Sequence, residues 1–197
     1  MTFTFVALEQ GTTEWLRWRQ GGIGASDAPA IMGENPWKSA RRLRTEKLAE
    51  IHGSGGHRQW RGNGAMARGT ALEPAARAHF VEWTGAMVQP ACLESMLHPW
   101  LRASLDGIEA DTRRVVEIKC GDKAYQHTAT NGAPPRYYYG QLQHILAVTG
   151  FDAIDFWCWL PGRAPQHIKV PRDEPYIARL LDAEARFWDE LTAAATG

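Results

Sequence analysis

Cysteine is scarce and scattered: Cys92, Cys120 and Cys158 are odd in number and nowhere paired as CxxC. That spacing argues against a disulfide framework and leaves no thiolate set for structural zinc or an iron–sulfur cluster, so a reducing cytoplasm is expected. Long apolar runs are also missing, and no segment approaches the roughly 20 residues of a membrane-spanning helix. The opening Met1–Val6 lacks the basic and apolar regions of a secretory leader, so none is expected. Internal repeats and long low-complexity stretches are absent. So is net charge: 22 Lys and Arg balance 22 Asp and Glu, which on its face counts against a polyanionic partner.

What is present is ordinary globular material, 197 residues with 44% hydrophobic and 22% charged content, enough for a single domain spanning 1–197. Charge is unevenly placed. Residues 1–70 hold ten Lys and Arg against six acids, whereas 171–197 hold three Arg against six acids. A chain polarised this way can turn a basic face to phosphates while its far side stays acidic.

Hydrophobic spacing predicts helices over Ser39–Ile51, Ala71–Thr84, Tyr137–Thr149 and about Pro175–Ala195. In the second, Leu72, Ala75, Ala76, His79, Phe80 and Trp83 form the stripe, and Gly85 stops it. Strands are predicted at Val88–Leu97, Leu101–Leu105, Ile154–Leu160 and His167–Val170. Six glycines within His52–Gly69 predict a flexible connection. This order implies an α/β (α+β) domain with a central mixed sheet flanked by helices.

The segment from Ala103 to Cys120 carries the most chemistry. Asp106 and the Glu117-Ile118-Lys119 triplet each lie in apolar flanks, separated by a polar stretch of hairpin length, so two neighbouring strands bring the carboxylates together. Glu117 and Lys119 share one face, and Ile118 points into the core. Two carboxylates and the Ile118 carbonyl suit a hard cation such as Mg²⁺, and Lys119 can orient or deprotonate a water. An exposed cross-strand salt bridge would use the same residue types.

Three further segments carry a functional and a structural reading each. Gly21 to Gly24 lead into Ser26, a natural N-cap for a short helix to Met32, and such a terminus also binds phosphate, with Arg19 adding a bidentate contact. Thr70 and Glu73 fit a capping box, or Glu73 reaches a metal site. Gln141 lies on the apolar side formed by Tyr138, Leu142, Ile145 and Val148, where its amide needs either a site or a buried structural partner. His144 has no ligand set nearby and reads as a surface or packing residue.

Together and in this order, the segments resemble the phage lambda-type exonucleases, also called YqaJ-type viral recombinase nucleases, of the PD-(D/E)xK superfamily. The resemblance covers about Trp15 to Leu160. It implies a restriction-endonuclease-like core in which Arg19 and Ser26 bind the 5′-phosphate of a DNA end. Glu73, Asp106, Glu117, Lys119 and Gln141 match catalytic positions, and Asp106, Glu117 and the Ile118 carbonyl match metal ligands. Gln143 completes the Q-x-Q pattern. Leu105 replaces the usual Pro before the Asp, a change of backbone geometry rather than of ligands. Met66 stands nearest to the apolar wedge that splits the duplex end.

The implied activity is a Mg²⁺-dependent 5′→3′ exonuclease with two ions, Mn²⁺ being able to substitute. It would digest one strand of linear duplex DNA and leave a 3′ tail for a single-strand annealing protein. A homotrimeric ring, phage or prophage origin and a bacterial cytoplasm are implied with it. A related endonuclease and a non-catalytic DNA-end-binding module are the rival readings.

Overall fold

Seven strands join into one mixed sheet in the computed structural model, which describes residues 2–52 and 64–196, with the backbone alone for 64–66 and 196. The strands are β1 (Phe3–Val6), β2 (Ile23–Gly24), β3 (Gln89–Ser95), β4 (Leu101–Glu109), β5 (Arg114–Lys119), β6 (Ala153–Cys158) and β7 (Gln166–Pro171). They run in the order β1-β3-β4-β5-β6-β7, antiparallel except for β5 beside β6, and β2 joins β4 in parallel. The helices are α1 (Thr13–Gln20), α2 (Ala28–Ile31), α3 (Ala40–Ile51), α4 (Gly64–Thr84), α5 (Asp122–Asn131), α6 (Arg136–Thr149) and α7 (Glu174–Thr196).

Two apolar layers sandwich the sheet. On one face, Leu105, Val115, Ile154 and Phe156 pack with Leu142, Ile145 and Leu146 of α6. On the other, Val88, Val116, Ile118 and Trp157 pack with Ala76 and Phe80 of α4. Strand β6 is buried on both faces, as suits a strand with a parallel neighbour, so Trp157 is as inaccessible as Phe156. Truncating a residue such as Phe80 to Ala would cost about 3–5 kcal/mol.

Helix α4 begins well before Ala71. Its buried stripe is Ala76 and Phe80 with partly covered Leu72, while Ala75, His79 and Trp83 face solvent. Much of the stretch expected to be flexible, and the side chain of Met66, lie outside the described residues. Strand β1 and helices α1 and α5 had no predicted counterpart, since each is short or polar on much of its surface. Among the described residues no helix is long and apolar enough to cross a membrane.

One irregularity positions the site. Between the pairs Gln89↔Ile108 and Ala91↔Leu105, two residues of β4, Asp106 and Gly107, oppose one residue of β3, Pro90. A proline has no N–H for the ladder, so a bulge forms where it sits. Gln10 Nε2 supplies a donor there, 2.9 Å from the Leu105 carbonyl. Gly107 is needed at the bulge, because a Cβ there would lie 2.9 Å from both Val116 and Val88 side chains.

The other edge of β4 is split between two partners. It pairs with β2 at Leu101–Arg102 and with β5 at Gly107–Glu109, which leaves a fork between β2 and β5 that opens at Asp106.

Candidate active site

Asp106 and Glu117 meet at this fork. The ladder between β4 and β5 ends at Gly107↔Val116, and beyond it the Ile118 N–H donates to Asp106 Oδ2 at 2.7 Å. A carboxylate thus takes the hydrogen bond that a strand neighbour would otherwise supply. Glu117 and Lys119 share the face covered by α6, while Ile118 packs into the smaller core, as the alternation predicts.

Glu117 is 2% exposed and accepts two hydrogen bonds on Oε1, from Lys119 Nζ at 2.5 Å and from Gln141 Nε2 at 2.6 Å. The amide of Gln141 therefore serves the site rather than a remote structural contact. Gln143 is the structural one: it bonds the Pro171 carbonyl and the Asp173 N–H, each at 3.0 Å, and ties α6 to the start of α7. The Lys119 ammonium also lies 4.6 Å from the centre of the Tyr138 ring.

Glu73 reaches the site from α4. With the helix beginning at Gly64, Thr70 and Glu73 are interior residues and form no capping box. Glu73 Oε1 instead accepts from Arg77 Nη2 at 2.5 Å, and Arg77 Nε donates to the Asp106 backbone carbonyl at 2.6 Å. Arg77 thus braces the bulge and holds Glu73 together. Sequence reasoning passed over this residue, although its spacing of four from Glu73 was a visible signal.

The charges explain the titration behaviour. Burial, then the neighbouring charges of Glu117 and Glu73, push the Asp106 carboxyl well above the usual carboxylate range, against the pull of Lys119 and the Ile118 N–H. Burial acts to lower the pKa of Lys119, but Glu117, Tyr138 and Asp106 outweigh it and hold the ammonium above its ordinary value. Cys120 is pushed up to about 12 by burial and by Asp106 and Glu73, so it remains a thiol and offers no nucleophile.

The donor set fits a hard cation. All the candidate ligand atoms are oxygens, and a buried, mutually repelling carboxylate pair is relieved by a divalent ion. Among the described residues no group of three or more His, Cys, Asp or Glu side chains is arranged to hold a metal, so a cation between Asp106 and Glu117 would take its third ligand from a backbone oxygen or from Glu73 freed of Arg77.

The phosphate-pocket candidates are also adjacent. Arg19 Nη2 donates to Ser26 Oγ at 2.9 Å, and the guanidinium stacks 4.8 Å from the centre of the Trp15 ring. Ser26 is not the helix cap. It lies inside a short 3₁₀ turn, Ala25–Asp27, and α2 is only Ala28–Ile31; Asp27 accepts from the Gly24 N–H at 3.2 Å. Burial acts to raise the pKa of Asp27, but Lys47, 3.1 Å away, and Arg19 outweigh it and hold the carboxyl low. Gly24, two residues before Ser26, pairs with Arg102 on β4, which lies four residues, about 13 Å of strand, before Asp106.

His144 is buried, which is the packing alternative and not the surface one. Its Nδ1 is 2.7 Å from Glu184 of α7, and its Nε2 is 2.9 Å from the Arg102 carbonyl of β4.

A mixed sheet flanked by helices, with Asp106 and Glu117-Ile118-Lys119 on neighbouring strands, is the core that the resemblance to the lambda-type exonucleases implies. The YqaJ-like viral recombinase domain matches residues 14–152, and the chain belongs to that family. Over 94% of its length it superposes on the crystal structure of an alkaline exonuclease, LHK-Exo, from Laribacter hongkongensis, with a TM-score of 0.82, 28% identity and 95% of that chain covered. The same enzyme in complex with dAMP aligns equally well at 27% identity, over 94% of this chain and 95% of that one. The uncharacterized protein YqaJ of Bacillus subtilis (strain 168) is 26% identical over 186 residues, 92% of this chain; the chain spans 57% of that relative's length.

Proposed function

We propose that the chain is a Mg²⁺-dependent 5′→3′ exonuclease that digests one strand of linear duplex DNA. The observation that carries this reading is the fork, where Asp106, Glu117, Lys119 and Gln141 converge through short hydrogen bonds around an all-oxygen donor set. Likeness to an exonuclease crystallised with dAMP supports a DNA substrate.

In this reading Asp106, Glu117 and the Ile118 carbonyl would hold Mg²⁺, and Glu73, released from Arg77, would help hold a second ion or position the water. The chemistry such an ion would supply is charge neutralisation at the scissile phosphate and activation of the attacking water. Mn²⁺ presents the same octahedral oxygen preference and would substitute. Lys119, held as an ammonium, donates to the nucleophile or to a phosphate oxygen. Gln141, bonded to the same Glu117 oxygen, fixes the orientation of that carboxylate. Arg19 and Ser26 anchor the terminal 5′-phosphate at a set distance from the fork, which gives the digestion its direction. A homotrimer that encloses the duplex, and transfer of the 3′ tail to a single-strand annealing protein, belong to the same proposal.

The test uses linear duplex bearing 5′-phosphates, closed circular duplex, and strands labelled separately at each end. Mg²⁺-dependent release of mononucleotides from 5′ ends is expected, with the circle left intact and activity abolished by chelator. Nicking of the circle would make the protein an endonuclease, and binding to ends without digestion would make it an end-binding module. Lys119→Ala is expected to bind DNA and not cut it.

A further inference from the structure

Resting on the reading of the site as a DNA nuclease, the geometry points to a second DNA contact: Trp37, held by Tyr137, is a stacking platform for the nucleobase at the 5′ end of the strand being cut. Trp37 is 62% exposed although its backbone is pinned. Asn35 Oδ1 accepts from the Trp37 N–H at 2.9 Å and the Lys38 N–H at 3.0 Å, and the Asn35 N–H donates to the Pro29 carbonyl at 3.0 Å. The ring is fixed as well, edge-on to Tyr137 with centroids 4.9 Å apart and planes at 73°. The result is a fixed indole face open to solvent and free to take a ligand.

Its neighbours say which ligand. Tyr137 contacts Tyr138 at 4.6 Å between centroids, and Tyr138 carries the Lys119 ammonium at 4.6 Å, so a continuous aromatic chain runs from the catalytic amine to Trp37. Cationic side chains border it: Lys38, ion-paired with Glu46 at 2.6 Å, follows Trp37, and Arg136, 88% exposed and 4.0 Å from Glu34, precedes Tyr137. Aromatic faces interleaved with cations are how proteins hold unpaired nucleotides without reading their sequence, since every base has a π-face and every linkage a phosphate. An unpaired base leaving the duplex at the fork would find that face.

A duplex carrying a 5′-phosphate, 2-aminopurine as its terminal 5′ base and a remote fluorophore tests this in chelator. Anisotropy of the fluorophore reports binding, and 2-aminopurine emission reports stacking. The wild-type protein is expected to bind and quench the 2-aminopurine. Trp37→Ala should bind about tenfold more weakly and lose the quenching at saturation, Trp37→Phe should keep most of both, and Tyr137→Ala should fall between. Equal quenching by Trp37→Ala and wild type at saturation would overturn the platform, as would a changed oligomeric state of Trp37→Ala by light scattering, which would make Trp37 a subunit contact. Absence of any anisotropy change with wild type would instead remove the DNA-nuclease reading itself, and the platform with it.

Discussion

Arg77 and Asp106 are joined by a 2.6 Å hydrogen bond from a guanidinium nitrogen to a backbone carbonyl, at the residue where β4 bulges. The bond leaves the Asp106 carboxylate to the Ile118 N–H and the fork, while the other arm of Arg77 holds Glu73. One side chain therefore sets the relative positions of two acids on different elements.

Removing that brace should be felt in turnover. Arg77→Ala is expected to lower kcat by roughly tenfold to a hundredfold with KM little changed, because small misplacements of reacting groups carry penalties of that size. Arg77→Lys keeps an ion pair with Glu73 but loses the forked geometry, and should be intermediate. Steady-state digestion with all three proteins decides it; an unchanged kcat would reduce Arg77 to an ordinary helix ion pair.

Asp106→Asn should separate stability from function. The folded pKa of Asp106 is raised well above its ordinary value of 3.8, so the stability that the protonated acid lends is complete below 3.8 and is lost as pH rises through the folded pKa. Asparagine keeps an acceptor for the Ile118 N–H without the charge. Melting in chelator at pH 7.5 should move up by about 2–4 °C for each kcal/mol relieved, while digestion falls by at least about a hundredfold. A lower melting temperature would contradict the electrostatic account.

Arg19→Ala should affect ends, not chemistry. Losing one or two charge-assisted hydrogen bonds should slow digestion of 5′-phosphorylated duplex by roughly ten- to a hundredfold and hardly alter digestion of 5′-hydroxyl duplex. Equal loss on the two substrates would remove Arg19 from end sensing.

The buried pair of His144 and Glu184 should give a pH-dependent stability. Burial acts to lower the pKa of His144, but Glu184 and the Arg102 carbonyl outweigh it and hold the imidazole above its ordinary value of 6.5. The stabilisation is complete below that value and is lost as pH rises through the folded pKa. Urea denaturation across pH 6 to about pH 9 should show the decline. Glu184→Ala should abolish it and cost about 3–5 kcal/mol, because it leaves a buried charge unpaired.

Much of this molecule was legible before its coordinates. The helices ending at Thr84, Thr149 and Thr196 and the hairpin carrying Asp106 and Glu117 follow from spacings of 3.6 and 2, because those periods belong to the chain itself. The Glu117, Ile118 and Lys119 faces followed by the same alternation. The roles of Ser26, Glu73 and His144 did not, since each had a local hydrogen-bond motif or bland environment that its residue type satisfied equally well.

The tertiary structure gave each of them its hydrogen-bond partner, a nearby one for Ser26 and Glu73 and one 40 residues away for His144. Ser26 meets Arg19 from inside the turn in which Asp27 accepts from the Gly24 N–H; Glu73 meets Arg77 one turn further along α4, whose earlier start leaves no helix end for Glu73 to cap; His144 meets Glu184 only once α6 and α7 are packed. The fork itself is of this kind. Pro90 and Gly107 made a bulge possible, but two strands competing for one edge of β4 opened it, and that competition is non-local. By itself, then, the sequence determined which residues face together along each element, and the packed fold determined which of them share a hydrogen bond or a buried charge.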